Sequence, residues 1–573
     1  MVRRGIDGGE LVARTLRSYG VEVAFGVHGG HLNSVLMGFK RNEIRIVDTR
    51  HEAVGVNAAD GYARATGRLG VAFATASAGF TNAVAGLGVA FADRSPVLVI
   101  TSSPPLRDAE MNTFQGILDQ VAVAAPITRW AHQITVVEEI PRLLGFAIRR
   151  ALTGGRGPVL VDIPIDVLFT TVDEDTVIQG GGPGLPAPPA PAPAAAAEAL
   201  RILREAERPA IIVGEGAMHT GGRLVEFAER SGIPVFTQWG LHDVLPFDHP
   251  LNGFHVRGLT MGKFQGLGSP DAILLLGART GMSEDVRKGH VIPAEARLIH
   301  VDAEGAEIGR ILPAEVGITA DAGETLDCFL ADDRPWPDRG AWATAIAAAS
   351  RFPREYAKAP VELDGRLHPY HAAEELMRIL PAGTQLIADG SDATHWLDDV
   401  IHHGRLAGST GYGGYLVHLG TGFGFAIGRQ IAHPGERLVL FTGDGAFGLH
   451  AAEIDTMVRH GLPIVVVLFN NAAWGSSTQG QLLYYGEDGV LASRLADSDY
   501  EQVATAFGAR GERVGKLADL GPAIRRAFDA GGPALVNVTV ADTEDALAAP
   551  LLDYTDDPDT LVVPYYDNIR KRK

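Results

Sequence analysis

Residues Gly428–Ala473 read GRQIAHPGERLVLFTGDGAFGLHAAEIDTMVRHGLPIVVVLFNNAA, and this stretch decides the fold. A first apolar run, Leu438–Thr442, ends in a glycine-rich turn at Gly443–Gly445. A helical pattern follows, and a second apolar run, Ile464–Phe469, ends in two asparagines. Strand, helix and strand in this order predict a right-handed parallel crossover that brings both polar clusters to one edge of a sheet. Open α/β sheets bind their ligands at that edge.

The polar residues at this edge have the chemistry of a metal and phosphate site. Asp444 offers a carboxylate, Asn471 offers an amide oxygen, and the backbone offers carbonyl oxygens. These hard oxygen ligands suit Mg²⁺, which takes few protein ligands and completes its shell with phosphate oxygens. Gly443 and Gly445 carry no side chain that would keep a diphosphate away from the backbone. The stretch therefore predicts a Mg²⁺-dependent diphosphate site.

Similar apolar runs, separated by helical patterns, recur along the rest of the chain. Uninterrupted apolar strands between helices are typical of a parallel sheet covered on both faces. One stretch, GGGPGLPAPPAPAPAAAA, has the composition of a semi-extended linker. The prediction is an α/β protein of three tandem parallel-sheet domains, with an N-terminal domain at 1–179, this linker at 180–197, a central domain at 198–345, a third domain at 360–545 and a tail at 546–573.

Composition narrows the class of protein. The 573 residues are 46% hydrophobic and 21% charged, which is typical of globular domains. Fifty Lys and Arg against 69 Asp and Glu give a net charge of −19, the wrong sign for a nucleic-acid partner. The single cysteine, Cys328, cannot form an internal disulfide. No secretory signal and no apolar stretch of about 20 residues is recognisable, so we expect a cytoplasmic protein without a membrane partner.

The opening stretch resembles the diphosphate-binding signature of thiamine diphosphate (ThDP) enzymes, in which GDG is followed, one helix and one strand later, by NN. This resemblance implies a pyrimidine-binding N-terminal domain, a central domain and a diphosphate-binding third domain. It implies that Asp444, Asn471 and the backbone carbonyl of Ala473 hold the Mg²⁺. The residues implied to contact ThDP in this segment are Gly443, Asp444, Gly445, Ala446 and Asn471.

Two segments of the N-terminal domain resemble the same family. His51–Ala53, followed by the string NAADGYAR at 57–64, resembles the segment that carries the cofactor-activating glutamate. The resemblance implies that Glu52 hydrogen-bonds a pyrimidine nitrogen of ThDP, a role that requires a low-dielectric site where a proton is shared. Thr75–Asn82, which reads TASAGFTN, resembles a loop of the acetolactate-synthase-like branch and implies that Asn82 lies at the cofactor.

A segment of the third domain resembles the part of these enzymes that bends the cofactor. Gly414–Gly420 reads GYLVHLG, and the resemblance gives Leu419 the position whose bulky side chain forces ThDP into a V shape. The carbonyl of Val417 would then accept a hydrogen bond from the 4′-amino group of ThDP.

The residues expected to meet the substrate are His28, His31 and Gln115. Phe114 and Gln115 resemble the substrate-side FQ segment of the branch. Where most members read GVPGG, Gly26–His31 reads GVHGGH, and two imidazoles can exchange protons near neutral pH. This loop resembles the substrate loop of cyclohexane-1,2-dione hydrolases. The implied reaction cleaves or forms a C–C bond next to a carbonyl of a small 2-oxo or 1,2-dione substrate, either hydrolase-like or acetolactate-synthase-like.

Two other functions stay open. A 2-hydroxyacyl-CoA lyase that releases formyl-CoA is indicated by the basic end, Arg570–Lys573, and by a tail that could close as a lid. Related lyases use a glutamate near residues 474–486, where this chain has no acid before Glu487. A ThDP-binding paralogue without catalysis would need the metal ligands but would not need Glu52.

The expected ligand of the central domain and the expected oligomeric state rest on the resemblance alone. Some family members bind FAD or an ADP moiety in the central domain and others bind nothing there, and the GARTG turn at Gly277–Gly281 does not decide between them. In the family, the glutamate of one subunit meets the diphosphate site of another subunit. The resemblance therefore implies a homo-oligomer, a dimer at least and usually a tetramer, with active sites between subunits.

Overall fold

The structure is a computed structural model that describes residues 5–238, 244–281, 291–351, 355–410, 414–543, 560–561 and 569–570. Within these ranges it contains three six-stranded sheets whose neighbouring strands all run parallel. The predicted α/β class with three parallel-sheet domains is confirmed. The predicted domain boundaries stay predictions.

The first sheet belongs to the N-terminal part of the chain and has the strand order β3-β2-β4-β5-β7-β6. A separate antiparallel pair joins β1 to β8. The strands are β1 Gly5–Asp7, β2 Val23–Gly26, β3 Arg45–Asp48, β4 Gly70–Ala74, β5 Val97–Ser103, β6 Trp130–Gln133, β7 Val159–Pro164 and β8 Thr171–Asp173. The helices are α1 Gly8–Ser18, α2 Asn33–Arg41, α3 Glu52–Thr66, α4 Ala78–Ala92, α5 Gln120–Ala124, α6 Ile140–Leu152 and α7 Ile165–Phe169.

The second sheet has the order β11-β10-β9-β12-β13-β14. Its strands are β9 Pro209–Val213, β10 Val235–Thr237, β11 Asn252–His255, β12 Ala272–Leu276, β13 Arg297–Asp302 and β14 Val316–Thr319. Its helices are α8 Pro193–Glu205, α9 Gly222–Ser231, α10 Arg257–Phe264, α11 Ala322–Leu330 and α12 Gly340–Ala348. Because α8 begins at Pro193, the last residues of the predicted linker form its first turn, as the preference of proline for a helix start explains.

The third sheet has the order β18-β17-β19-β20-β22-β21, so the two strands of the opening stretch are neighbours. The strands of this part are β15 Glu362–Leu363, β16 Arg366–Leu367, β17 Gln385–Asp389, β18 Gly408–Thr410, β19 Leu438–Gly443, β20 Val465–Asn470, β21 Arg510–Val514 and β22 Ala534–Thr539. The helices are α13 Pro369–Ile379, α14 Ser391–Val400, α15 Gly422–Ala432, α16 Asp444–His450, α17 Glu453–Arg459, α18 Gly475–Tyr485, α19 Tyr500–Ala506 and α20 Leu517–Asp529.

Each sheet is buried on both faces, which explains the uninterrupted apolar strands. In β19, Leu440 packs into a cluster on one side of the sheet, whereas Val439 and Phe441 pack into a cluster on the other side. Successive side chains of a strand point to opposite faces, so both faces need apolar residues.

Helices α3 and α15 cross closely and join the N-terminal domain to the third domain. A Cβ on Gly61 would lie 2.5 Å from the Cα of Phe425, and a Cβ on Gly428 would lie 2.0 Å from the carbonyl oxygen of Ala58. Only glycine permits this approach at both positions. The crossing therefore fixes α3, which begins at Glu52, against the third domain.

The predicted tail at 546–573 lies outside the described residues, apart from one short antiparallel pair. That pair joins β23 Thr560–Leu561 to β24 Ile569–Arg570. Among the described residues, no helix has the length and hydropathy that crossing a bilayer requires.

Candidate active site

Glu52 is the first residue of α3, and its side chain is buried, with 9% of the residue exposed. The preceding residue, His51, caps the helix because its Nδ1 accepts a hydrogen bond from the backbone N–H of Ala53 at 3.1 Å. Asn82 on α4 donates from its Nδ2 to Glu52 Oε2 at 3.0 Å. Gly79 on the same helix faces the carboxyl, since a Cβ there would lie 3.2 Å from Glu52 Oε1. The carboxyl predicted to activate the cofactor is thus buried and oriented by a neutral donor.

A second buried acid, Glu453 on α17, holds the chain immediately before Glu52. Its Oε1 accepts hydrogen bonds from the backbone N–H groups of Arg50 and His51, each at 3.0 Å, and its Oε2 accepts from the hydroxyl of Thr456 at 2.7 Å. Only 1% of Glu453 is exposed, and this burial raises its pKa to about 7. A side chain of the third domain therefore fixes the start of α3.

The loop with the two histidines follows β2 and lies on the end of β4. A Cβ on Gly29 would lie 2.2 Å from Thr75 Oγ1, so the loop backbone lies directly on Thr75. His28 shares a 3.0 Å hydrogen bond between its Nε2 and Asn33 Oδ1. The ring of His31 is buried, and burial lowers its pKa, which favours the neutral imidazole.

The structure brings Gln115 and Phe114 to the same part of the N-terminal domain. The Phe114 ring stacks on His31 with the ring centroids 6.4 Å apart. The carbonyl oxygen of Gln115 lies 2.9 Å from the hydroxyl of Ser77, which immediately precedes α4. Because α4 also carries Asn82, the four predicted residues His31, Asn82, Gln115 and Glu52 form one connected group.

The diphosphate side of the site begins where β19 ends and α16 starts. Asp444 is 2% exposed and accepts a hydrogen bond at Oδ1 from the N–H of Gly445 at 3.0 Å. Its Oδ2 is buried and has no hydrogen-bond partner among the described residues. Burial raises the pKa of Asp444 to about 7. A cation at Oδ2 would supply the missing partner and stabilise the carboxylate.

Asn471 and Ala473 follow β20 at the neighbouring strand end. Asn471 donates from Nδ2 to Asp392 Oδ2 at 3.2 Å, while its Oδ1 accepts from the N–H of Ala473 at 3.2 Å. In the described ranges, no three His, Cys, Asp or Glu side chains converge on one point. A metal here would therefore depend on Asp444, the amide of Asn471, backbone carbonyls and ligand oxygens, as Mg²⁺ does.

Gly445 lies in the first turn of α16, directly after β19, and is in contact with Trp474. A Cβ at Gly445 would lie 2.6 Å from the indole ring of Trp474, so that ring packs directly on the turn. Gly443 has room for a Cβ, with the nearest atom 3.7 Å away on Ala393, and Ala446 is 2% exposed in the first turn of α16. This turn is the N-terminal end of α16, where the first backbone N–H groups of a helix have no intrahelical partner and can meet an anion.

The segment predicted to bend the cofactor is anchored on both sides. Val417 has a φ of +50° and is half exposed. Before it, the N–H of Tyr415 donates to Asp93 of the N-terminal domain at 2.9 Å. After it, Asp389 accepts from the N–H groups of Gly420 and Gly422 at 3.1 and 2.9 Å. Leu419 lies between these anchors, partly buried.

Helix α16 connects the two groups of predicted residues within the chain. Asp444 is its first residue and His450 is its last, and the His450 ring lies 5.1 Å from the His51 ring. At about 1.5 Å per residue, these seven residues span about 10 Å. The structure thus puts Glu52, His31, Gln115 and Asn82 in one group, with His28 on the same loop as His31, and it puts the predicted metal and diphosphate residues at the ends of β19 and β20.

Three site residues were not identified from the sequence. Asp389 is an acid at the end of an apolar strand, the same signal that identified Asp444, and it could have been found that way. Glu453 lies inside the opening stretch, but its buried role depends on contacts with the N-terminal domain. Ser77 has a φ of +48°, and no sequence signal predicts a serine in that conformation.

Three protein-family models match the chain. The model described as thiamine pyrophosphate enzyme, N-terminal TPP binding domain, matches residues 6–123. The central domain of the same enzymes matches residues 196–329, and their C-terminal TPP binding domain matches residues 389–538.

Several curated proteins are similar over nearly the full chain. A probable acetolactate synthase of Mycobacterium bovis is 32% identical over 549 residues, which are 95% of this chain and 97% of that protein. A probable acetolactate synthase large subunit of Methanocaldococcus jannaschii is 29% identical over 94% of this chain and 93% of its own. The large subunit of acetolactate synthase isozyme 1 of Escherichia coli is 29% identical over 95% of each chain.

Proposed function

The chain belongs to the acetolactate-synthase-like branch of the thiamine pyrophosphate enzyme family, and we propose that it acts on the carbonyl of a small 2-oxo acid or 1,2-dione. As a member of this branch it is a ThDP-dependent enzyme that catalyses C–C bond formation. The observation that supports the substrate proposal best is the connected group of Glu52, Asn82, Gln115, Phe114 and His31.

When bound, ThDP supplies a carbon nucleophile and an electron sink for bonds next to a carbonyl. Glu52 would share a proton with a pyrimidine nitrogen of the cofactor, and Asn82 orients the glutamate for this through its 3.0 Å hydrogen bond. The carbonyl of Val417 would accept from the 4′-amino group, and Leu419 would support the bent cofactor. Burial of Glu52 keeps water from the shared proton.

We propose Mg²⁺ as the metal, held by Asp444, Asn471 and the backbone carbonyl of Ala473. The buried Oδ2 of Asp444, which lacks a partner among the described residues, supports this assignment. Gly443, Gly445 and Ala446 would line the diphosphate, because they lie at the N-terminal end of α16, where the helix dipole favours an anion.

The two histidines are proposed to handle the protons and oxygens of the substrate. His31 is buried and favours the neutral form, so it can take a proton from a substrate hydroxyl near neutral pH. His28 is more accessible and is paired with Asn33. The side chain of Gln115, next to the Phe114 ring that stacks on His31, would donate to a substrate oxygen.

We propose the cleft between the N-terminal and central domains as a site for an ADP moiety, either free or as part of FAD. The cleft has a volume of about 340 Å³, at the lower end of the roughly 300–1,000 Å³ of small-molecule sites. Its lining includes six basic side chains, Arg64, Arg94, Arg156, His219, Arg223 and Arg279, and five acidic ones, Asp93, Glu215, Asp302, Asp321 and Glu324. The absorption spectrum of the purified protein, followed by chromatography of the extracted nucleotide, separates FAD from ADP and from an empty cleft.

The proposal also includes a cytoplasmic homo-oligomer, at least a dimer and most simply a tetramer, with active sites between subunits. The apolar side chains of Met111, Phe114 and Ile117 are 68%, 82% and 89% exposed, and a second copy of the chain would cover them. Sedimentation analysis should therefore give no monomer at micromolar concentration. Cys328 is consistent with a reducing compartment.

The experiment that tests the substrate is product analysis of the protein with ThDP and Mg²⁺, offered pyruvate, cyclohexane-1,2-dione or a short 2-hydroxyacyl-CoA. Ring-opened acid or a carboligation product supports the proposal. Formyl-CoA from the third substrate would replace it with a lyase, whose acid would then be Glu487, which is 80% exposed and 3.7 Å from Arg494. Bound ThDP without any product would support a binding protein without catalysis.

A further inference from the structure

Ser77 has an unusual backbone conformation at the junction between β4 and α4. Its φ is +48° and its ψ is −82°. Residues other than glycine rarely adopt positive φ, and they keep it only where the surroundings fix them. Such residues cluster at functional sites, so the contacts that hold Ser77 show what the conformation achieves.

The backbone of Ser77 is fixed from two directions. Its N–H donates to Gln120 Oε1 at 2.6 Å, and Gln120 is only 3% exposed. The Gln120 amide in turn donates to Asp162 Oδ1 at 2.9 Å and to the carbonyl oxygen of Ser102 at 3.1 Å. On the other side, the carbonyl oxygen of Ser77 accepts from the N–H of Thr81 at 2.7 Å. Ser77 is therefore tied both to the end of the sheet and to α4.

The hydroxyl of Ser77 is directed away from its own helix. Ser77 occupies the N-cap position of α4, where a serine usually accepts a hydrogen bond from the first helical turn, but it makes no such bond. Instead, its hydroxyl lies 2.9 Å from the carbonyl oxygen of Gln115 and 3.1 Å from that of Gly116, and it can donate to either.

The segment that receives this hydrogen bond, residues 109–118, has few other attachments. Among the described residues, Ser77 is the only one whose side chain hydrogen-bonds the backbone of this segment. Four of its residues have positive φ, and none of them is glycine: Glu110, Asn112, Gln115 and Ile117. The Phe114 ring of this segment also stacks on His31. The Ser77 hydroxyl thus supplies the one side-chain hydrogen bond to the backbone at Gln115 among the described residues.

We propose that Ser77 is a positioning residue that sets where Phe114 and Gln115 meet the substrate. Its strained backbone turns the hydroxyl toward Gln115, while the same residue begins α4, whose Asn82 orients Glu52. Ser77 therefore fixes the distance between the substrate side and the cofactor-activating side of the site. The part of this inference that concerns substrate rests on the proposed function.

Ser77→Ala tests the inference because it removes the hydroxyl and keeps the backbone restricted by a Cβ. Ser77→Gly also removes the hydroxyl but relieves the positive φ, so it covers the case in which the alanine variant does not fold. Ser34→Ala is the matched control, since the buried Ser34 hydroxyl donates to the carbonyl oxygen of Leu168 at 3.0 Å in the same domain.

Hydrogen–deuterium exchange of residues 109–118 measures how firmly the Ser77 hydroxyl holds this segment, and it does not require enzyme activity. Removing the hydroxyl should speed this exchange by about five-fold or more in both Ser77 variants, because the segment loses the side-chain hydrogen bond to its backbone. The Ser34 variant should exchange like the wild type. Exchange within about two-fold of the wild type in both Ser77 variants would overturn the inference.

Steady-state kinetics test whether Ser77 positions the substrate. They use pyruvate or cyclohexane-1,2-dione, whichever the wild type turns over. KM should rise by about five-fold or more, while kcat and the ThDP dissociation constant stay within about two-fold, because the Glu52 side is untouched. Faster exchange with an unchanged KM would overturn the substrate role. If neither substrate is turned over, the proposed function fails with that role, whereas the exchange measurement still decides the anchoring.

Discussion

Glu453→Gln should change how the stability of the protein depends on pH. The buried carboxyl of Glu453 has its pKa raised from 4.5 to about 7, chiefly because burial disfavours the charged form. A carboxyl whose pKa is raised on folding binds its proton more tightly in the folded state. The stabilisation is complete below the unfolded pKa of 4.5 and is lost as the pH rises through about 7.

The size of the effect follows from the two pKa values. One pKa unit corresponds to about 1.4 kcal/mol, so wild-type stability should fall by about 2–3 kcal/mol, relative to that of the glutamine variant, between about pH 5 and pH 8. Other titrating groups are shared by both proteins and cancel in the difference. The neighbouring His450 has its pKa lowered to about 4 by burial, so it stays neutral throughout this range.

Urea unfolding at about pH 5, 6, 7 and 8, followed by fluorescence, measures the difference between wild type and variant. Glu362→Gln is the control, because Glu362 is exposed and should leave the pH dependence unchanged. A difference between wild type and Glu453→Gln that stays constant within about 0.5 kcal/mol would refute the reasoning, since Glu453 would then be ionised in the fold at every pH tested.

Three further predictions concern the proposed site. Glu52→Gln should bind ThDP within about three-fold of wild-type affinity by calorimetry and lose about a hundred-fold or more in kcat, and near-normal turnover would contradict the activating role. Asp444→Ala should lose the Mg²⁺ dependence of ThDP binding, and an unchanged calorimetric titration with and without Mg²⁺ would exclude Asp444 as the ligand. His31→Ala should alter the preference between pyruvate and cyclohexane-1,2-dione and leave ThDP affinity unchanged. Burial lowers the pKa of His31, so its ring stays neutral below pH 6.5 and wild-type activity should persist there as the pH is lowered. Activity that is already lost at pH 6.5 or above on lowering the pH would contradict the assignment.

The sequence predicted the features that depend on local pattern. Parallel strands buried on both faces leave continuous apolar runs, and β19 and β20 start and end within one residue of the runs predicted from the opening stretch. Polar residues that follow neighbouring parallel strands share one edge of the sheet, so Asp444 and Asn471 could be predicted to lie at one edge, although two helices, α16 and α17, and not one separate the strands. The individual roles of the site residues stay predictions.

Features that depend on contacts between distant segments could not be predicted. Gly61 on α3 and Gly428 on α15 allow these two helices to approach closely. Nothing in a single sequence identifies these two glycines as the residues at the crossing. The sequence pattern around Glu453 is that of an ordinary acid on an amphipathic helix. Its buried role depends on the backbone N–H groups of Arg50 and His51, which donate to it across the domain interface. Sequence periodicity reports which face of an element is buried and does not report what covers that face.

The central domain contributes to the geometry of the candidate site whether or not its cleft binds a nucleotide. The Tyr415 hydroxyl donates to the carbonyl oxygen of Arg279 at 3.0 Å, and the Arg279 guanidinium lies 3.8 Å from the centre of the Tyr415 ring. Tyr415 also binds Asp93 through its N–H, so all three domains meet two residues before Val417. Val417 holds a positive φ between this junction and Asp389, so displacing the Arg279 guanidinium would remove its contact with the Tyr415 ring at one end of that backbone and leave the Tyr415–Asp93 hydrogen bond in place. A ligand that reorients Arg279 in the cleft would therefore act on the segment proposed to bend ThDP.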